Sequence, residues 1–158
     1  MTAISTSIEV ERSPETTYAY ATDPTRFSEW QQGVSAGTGE QSGEVAVGAL
    51  CHTTRKIGFA KRSITSRVTQ FDPPRVWAIE GIDGPIRAAV TVTVESVASE
   101  RSRLTITISF TGSGSGKLLV PLAIVPSARR EMPRNLAQLK QNLEAPDAAQ
   151  AFAPEPRV

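Results

Sequence analysis

The chain has 158 residues and a formal net charge of +1, a size that fits one domain with a sizeable core. So balanced a charge gives no support for a nucleic-acid-binding protein, which needs a basic face or stripe. The single cysteine, Cys51, excludes an internal disulfide and favours a reducing compartment. We expect a cytoplasmic protein, because neither a signal peptide nor an apolar run of membrane-spanning length is recognised.

The N-terminal residues predict one strand followed by a short helix. Residues 4–11 alternate apolar and polar side chains, the period of a half-buried strand. Ser13 is a good helix cap and Pro14 suits the first helical position. The helix should end near Asp23, because a residue that precedes a proline is displaced from the helical region.

A second short helix and a series of strands are predicted next. The helix, 24–30, places Phe27 and Trp30 on one side. The alternation of apolar and polar residues then predicts strands at 33–42, 45–57, 61–71, 75–81, 86–97 and 103–111. Tight turns join successive strands, which indicates an antiparallel meander, since a parallel pair would need a long crossover.

From Lys117 onward the pattern becomes that of a long amphipathic helix that contains prolines. An interior proline removes a backbone donor and clashes with the preceding turn. We therefore expect an apolar piece over 117–125 and a main piece over 127–144, kinked or restarted near Pro133. The main piece carries leucines at helical spacing, at Leu136, Leu139 and Leu143.

These elements predict a single α+β domain over 1–144 and a flexible tail over 145–158, which is rich in alanine, proline and glutamine. A sheet that wraps around a closing helix tends to leave a cavity between the two. The order of elements therefore favours a small-ligand pocket without identifying the ligand.

Two features that suggest chemistry fit a structural role better. Cys51 and His52 are adjacent, but neighbouring side chains of a strand point to opposite faces, and no second histidine or cysteine completes a metal site. We predict a buried thiol, an exposed imidazole and no metal. The segment 112–116 precedes Lys117 as a phosphate loop would, but Thr111 occupies the position where that loop needs glycine. We interpret it as a hinge.

Arg55 and Arg67 are candidate pocket residues, because their strands should line the concave face of the sheet. A guanidinium there would bind a carboxylate, enolate or phosphate oxygen, although arginines that face outward on a solvated sheet are more common. A slip of one residue in this strand would replace the inward set Cys51, Thr53 and Arg55 by His52, Thr54 and Lys56. The aromatic side chains predicted to face inward are Phe27, Trp30, Phe59, Phe71, Trp77 and Phe110.

A series of different short motifs occurs along nearly the whole chain. They are Ser13-Pro14-Glu15, Asp23-Pro24, Glu29-Trp30, Phe71-Asp72-Pro73-Pro74-Arg75, Gly84-Pro85 and the closing Leu136-Ala137-Gln138-Leu139-Lys140. Together they resemble the START/Bet v 1-like superfamily, specifically its bacterial polyketide cyclase/dehydrase and lipid-transport-like (SRPBCC) group. The resemblance covers roughly residues 3–144.

The resemblance implies a helix-grip fold, in which a seven-stranded curved antiparallel sheet surrounds a long C-terminal helix and two short helices follow the first strand. In the family the cavity between sheet and helix binds hydrophobic or aromatic molecules, and some members catalyse ring cyclisation or dehydration. No catalytic signature is common to the family, so the resemblance assigns no catalytic residue.

We therefore expect a non-catalytic carrier or sequestering protein for a lipid or polyketide-like molecule, with no cofactor, as a monomer or weak homodimer. The alternatives are a cyclase or dehydratase, and a regulatory or toxin-like interaction module of the same fold. The predicted ligand-binding residues are Trp30, Cys51, Thr53, Arg55, Ser66, Trp77, Ile79, Val92, Ile106, Ile108 and Leu136.

Overall fold

A computed structural model describes residues 3–39, 46–57 and 59–146. Within these ranges seven strands form one antiparallel sheet in the order β1-β7-β6-β5-β4-β3-β2. The strands are β1 (Ala3–Val10), β2 (Val34–Gly39), β3 (Leu50–Ile57), β4 (Ala60–Asp72), β5 (Val76–Gly81), β6 (Ile86–Ala98) and β7 (Arg101–Gly112). The expected tail lies largely outside the described residues, as does the end of the first strand predicted after the short helices.

The helices lie in two stretches of the chain, one between β1 and β2 and the other after β7. The first stretch holds α1 (Pro14–Ala21), a 3-10 turn (Pro24–Arg26) and α2 (Phe27–Trp30). The second holds α3 (Gly116–Leu119), a π-helical turn (Val120–Ile124) and α4 (Val125–Glu144). A curved seven-stranded sheet that holds a long C-terminal helix is the helix-grip fold, so the predicted fold class is confirmed.

The strands β6 and β7 show the alternation of buried and exposed side chains that the sequence predicts. In β6 and β7 the apolar residues of one face lie opposite one another, with Val92 beside Ile106 and Val94 beside Leu104. All four are buried, whereas Glu95 and Arg103 on the other face are exposed. The concave face of the sheet therefore forms the floor of the core and the convex face meets solvent.

The C-terminal helix differs from the sequence prediction in where it is irregular. The expected restart near Pro133 is wrong, because α4 continues as α-helix through that residue. The irregular turn lies upstream at Val120–Ile124, where the N–H of Val125 bonds to the carbonyl of Val120. This wider turn contains Pro121, whose backbone nitrogen has no hydrogen to donate to the regular helical hydrogen-bond pattern.

The far end of α4 is fixed to the end of β1 by a group of polar contacts. The carboxylate of Glu144 accepts hydrogen bonds from the backbone N–H of Glu11 at 3.0 Å and from Lys140 Nζ at 2.9 Å. Lys140 Nζ also donates to the carbonyl of Glu9 at 2.8 Å. Partial burial alone would raise the pKa of Glu144, but these hydrogen bonds and the nearby charges lower it below its ordinary value of 4.5.

This contact predicts a pH-dependent contribution of Glu144 to stability. A lowered carboxyl pKa stabilises the folded state above pH 4.5, and the contribution is lost as pH falls through the folded-state pKa. We expect Glu144→Gln to lower the free energy of unfolding by about 0.5–1 kcal/mol at pH 7. The difference from the unmodified protein should shrink in acid, as measured by urea unfolding between pH 7 and pH 3. Glu100→Gln, in an exposed turn, should show no such difference; equal curves for Glu144→Gln and the unmodified protein would contradict the prediction.

Candidate ligand-binding site

The candidate site is the interior face of the sheet together with the helices that cover it. The structure places all eleven predicted residues in this interior, either buried or partly buried. Nine lie on β3 to β7, Trp30 comes from α2 and Leu136 from α4. Their burial fits the predicted set, while their part in binding stays a prediction.

One half of this interior is apolar. Ile79 on β5 lies opposite Val90 on β6, which lies opposite Ile108 on β7. Trp77 on β5 likewise lies opposite Val92 on β6. Leu136 of α4 belongs to the same buried core. Such a surface offers contact area without polar partners, which suits the apolar body of a small molecule.

Three aromatic rings cover the apolar half of the interior on the side of α2. Phe27 packs edge-to-face against Trp30 and against Trp77, with ring centroids 6.0 Å apart in each pair. All three rings are buried. Their arrangement ties the short helix α2 to the central strand β5, so Trp30 is held in place by packing rather than by its own helix of four residues.

The other half of the interior, on β3 and β4, is polar. Cys51 lies opposite Ser66, and Thr53 follows on the same face of β3; all three are buried. Arg55 is next on this face and is partly buried. The strand phase is therefore the expected one, since His52 is exposed and its Nδ1 lies 3.2 Å from the hydroxyl of Thr65 on the outer face.

Arg55 is the charged group of this polar half. Its guanidinium donates a hydrogen bond of 2.7 Å to the side-chain oxygen of Gln31, the residue after α2. Desolvation lowers the pKa of Arg55, while Cys51 and the carboxylate of Glu131 on α4 oppose that shift. Arginine keeps its charge in proteins, so the interior holds a poorly hydrated cation.

Gln31 and Glu131 are partners of Arg55 that the sequence did not indicate. Each lies far from Arg55 along the chain, on a segment whose position depends on the whole fold. Glu131 accepts a hydrogen bond of 3.4 Å from Ser127 within α4. Both residues stand among other polar residues in the sequence, so no local pattern distinguished them.

Trp30 contributes a second polar group to the interior. Within the described part of the chain, its buried indole Nε1 has no hydrogen-bond acceptor. A buried donor without an acceptor is uncommon and costs free energy. An oxygen atom placed against this N–H would satisfy the donor.

One candidate pocket residue and one predicted inward-facing residue lie outside the interior. Arg67 lies between buried Ser66 and Val68 on β4 and is exposed, the orientation more common for an arginine on a sheet, because the alternation of the strand turns it outward. Phe59, predicted among the interior aromatic residues, sits at the tip of the β3–β4 hairpin and is fully exposed, at 107%. A turn residue has no sheet face to occupy, which the sequence pattern alone does not reveal.

The described residues form neither a metal-binding cluster nor a membrane-spanning helix. Across residues 3–39, 46–57 and 59–146, no group of three histidine, cysteine, aspartate or glutamate side chains is placed to hold a metal ion. Among the same residues, no helix combines the length and apolar character needed to cross a membrane.

Comparison with known proteins identifies the family. Residues 1–144 match the family described as polyketide cyclase/dehydrase and lipid transport. The chain belongs to this family. The predicted resemblance is thereby confirmed. No curated protein sequence matches the chain.

Solved structures of the same fold include two proteins described as aromatase/cyclases. The Zhui aromatase/cyclase from Streptomyces sp. R1128 superposes with a TM-score of 0.75 at 13% identity, over 90% of this chain and 93% of that chain. The di-domain ARO/CYC BexL from the BE-7585A biosynthetic pathway gives 0.72 at 16% identity, over 91% of this chain. The match covers 47% of BexL, about half its length.

A third solved structure, TTHA0849 from Thermus thermophilus, has a TM-score of 0.71 at 14% identity, with 89% of this chain and 95% of that chain covered. At these identities the similarity shows a shared fold and no more.

The placement of Cys51 predicts an unreactive thiol in the folded protein. Burial raises the pKa of Cys51 from 9.0 to about 11, although the charge of Arg55 opposes the shift. Two pKa units reduce the thiolate fraction about 100-fold. We therefore expect iodoacetamide to alkylate the native protein at least about 100-fold more slowly than the urea-unfolded protein, as followed by intact mass.

The matched control moves the cysteine by one residue. In a Cys51→Ser background, His52→Cys places a thiol on the exposed face of the same strand and should react in the native state nearly as fast as in urea. Rapid native alkylation of Cys51 itself would contradict the strand phase.

Proposed function

We propose that this protein binds an apolar, flat small molecule that carries an acidic or carbonyl oxygen, and that it acts as a carrier or sequestering protein. The observation that supports this proposal most strongly is Arg55, a desolvated guanidinium in the polar half of an interior whose other half is apolar. A cation in that position is costly unless it is well paired. Arg55 donates one hydrogen bond to Gln31 and interacts with the charge of Glu131, and its remaining N–H donors would accommodate an anionic or strongly polar oxygen of a ligand.

The chemistry of the interior indicates how such a ligand would lie. The apolar body would rest on Ile79, Val92 and Ile106, beside the rings of Trp30 and Trp77. Its oxygen would meet the guanidinium of Arg55, with the hydroxyls of Thr53 and Ser66 on the same face. The free N–H of Trp30 would donate to a second oxygen. Few polar groups around a large apolar surface are typical of a small-molecule site.

A carrier fits the interior better than an enzyme that depends on general acid–base catalysis. Such catalysis needs a group whose pKa lies near the working pH. The thiol of Cys51 has a pKa of about 11, and the single histidine, His52, is exposed on the outer face. The interior groups therefore favour binding over proton transfer.

A cyclase or dehydratase of the same fold is the second candidate function. It is favoured by the family match and by the aromatase/cyclases among the solved structures. In such a reaction Arg55 would stabilise an enolate oxygen as negative charge develops on it. Turnover lost with retained binding in an Arg55 variant would favour this candidate, whereas absence of turnover in every form would favour the carrier.

A pair of matched probes tests the role of Arg55. We expect the protein to bind naphthalene-2-carboxylate more tightly than 2-naphthylmethanol, as measured by quenching of tryptophan fluorescence. Arg55→Met should weaken binding of the carboxylate by roughly 10- to 100-fold, which corresponds to about 1.5–3 kcal/mol for a charge-assisted hydrogen bond. Binding of the alcohol should change little, because its main contact is apolar.

Arg67→Met is the control, since it removes the same charge from the outer face of β4. It should leave both affinities within about twofold of the unmodified protein, because an exposed charge contributes little. Equal losses in the two variants, or no binding of either probe, would contradict the proposed site.

A further inference from the structure

Basic and apolar side chains are exposed at the end of the fold that carries both the β3–β4 hairpin and the beginning of the C-terminal helix. We call it the hairpin end and define it by Lys56, Phe59, Lys61, Arg62, Lys117, Leu118 and Leu122. The interior site does not use these residues. Their chemistry points to a partner that is both anionic and apolar.

The β3–β4 hairpin extends past the neighbouring strands. Pairing of β4 with β5 begins only at Ser66 opposite Gly81, and the β5–β6 turn bonds to Thr65 through the N–H of Ile82 at 3.0 Å. The five preceding residues of β4, 60–64, pair with β3 alone. At about 3.3 Å per residue they carry the tip roughly 15 Å beyond the turn.

The beginning of the C-terminal helix lies at the same end. The N–H of Ser113 donates to the carbonyl of Pro85 in the β5–β6 turn at 2.8 Å. Gly116 passes so close that an added Cβ would lie 2.5 Å from the same carbonyl oxygen. Only glycine allows this approach, which fixes the start of α3 beside the β5–β6 turn.

The apolar side chains of this end are unusually exposed. Phe59 is 107% exposed, Leu118 69% and Leu122 76%. They are separate projections rather than one continuous patch, with Phe59 on a turn and the leucines on the helix. A fluid interface accepts separate insertions of this kind, whereas a folded partner would need complementary pockets for each.

The hairpin also carries like charges that face one another. Arg55 pairs with Arg62 across the strands, and Lys56 pairs with Lys61 immediately beyond. Like charges directly opposite in a sheet destabilise it. Among the described residues no carboxylate forms an ion pair with Lys56, Lys61 or Arg62. An external anion would relieve this repulsion.

The opposite end of the sheet shows a contrasting charge arrangement. There Arg101 pairs with Glu11 at 2.6 Å and Arg103 with Glu9 at 2.8 Å. By contrast, the hairpin residues 50–66 include four basic residues and no acidic one, while Asp83 of the β5–β6 turn accepts a hydrogen bond from the N–H of Thr65 at 3.1 Å. The net charge of +1 thus conceals a basic end, and basic residues beside exposed apolar side chains favour binding to an anionic membrane surface.

We propose that the hairpin end docks on the surface of an anionic lipid bilayer, with Phe59 and the exposed leucines entering the headgroup region and the lysines and Arg62 contacting lipid phosphates and carboxylates. This orientation would turn the start of the C-terminal helix toward the membrane. The proposal does not rest on the identity of the interior ligand, and it is tested without one.

Vesicle sedimentation tests the proposal with the full chain. The probes are phosphatidylcholine vesicles with and without about 30% phosphatidylserine. We expect binding to the anionic vesicles to exceed binding to the neutral ones by at least about tenfold and to fall with added salt. Lys56→Gln combined with Lys61→Gln should lower the partition coefficient by about tenfold, and Phe59→Ser should lower it several-fold.

Matched controls come from the opposite end of the sheet. Arg75→Gln combined with Arg101→Gln removes the same charge there, and Val97→Ser replaces an exposed apolar residue there; both should bind vesicles as the unmodified protein does. Thermal melting shows that each variant is folded. The Lys56/Lys61 double variant should melt no lower than the unmodified protein, because it removes a repulsive pair.

Three results would overturn the proposal. One is equal binding of the unmodified protein to both kinds of vesicle, or to neither. Another is unchanged binding in both hairpin variants. The third is concentration-dependent dimerisation that Phe59→Ser abolishes, in a protein that does not bind vesicles, because it would assign the surface to a second copy of this chain.

Discussion

The packing of one leucine-bearing face of α4 against the concave sheet is the constraint on which the rest of the structure depends. Leu136, Leu139 and Leu143 are almost completely buried, and each contributes roughly 2 kcal/mol through removal of its side chain from water. The leucines occupy only the C-terminal half of the helix. The exposed leucines Leu118, Leu119 and Leu122 lie before α4, in α3 and the π-helical turn.

This uneven packing divides the interior into two functional parts. Where α4 packs tightly, the sheet and helix form an ordinary core. Toward the other end, the interior meets the polar face of β3, and Arg55 lies there under the partial cover of α2 and α4. Gln31 and Glu131 partly satisfy this cation, and a ligand oxygen would add a further partner where the interior changes from apolar to polar.

The sequence predicted the strands and helices that depend on interactions between residues close together in the chain. Alternation in 86–97 and 103–111 predicted β6 and β7, the Ser13 cap and Pro14 predicted α1, and the phase of Cys51, Thr53 and Arg55 follows from simple alternation. It did not predict contacts that depend on the assembled fold, such as Gln31 and Glu131 near Arg55. The outward position of Phe59 and the helix through Pro133 were also mispredicted, because turn geometry and tertiary packing override local pattern there.

Native mass spectrometry of protein purified gently from its own host tests most directly whether the interior binds one apolar small molecule. We expect an adduct of one molecule per chain that is released on unfolding and carries an acidic or carbonyl oxygen. The Arg55→Met protein, prepared in the same way, should carry less of that adduct. An unmodified protein whose mass is that of the chain alone, and whose melting temperature no lipid or polyphenol raises, would contradict ligand binding in the interior.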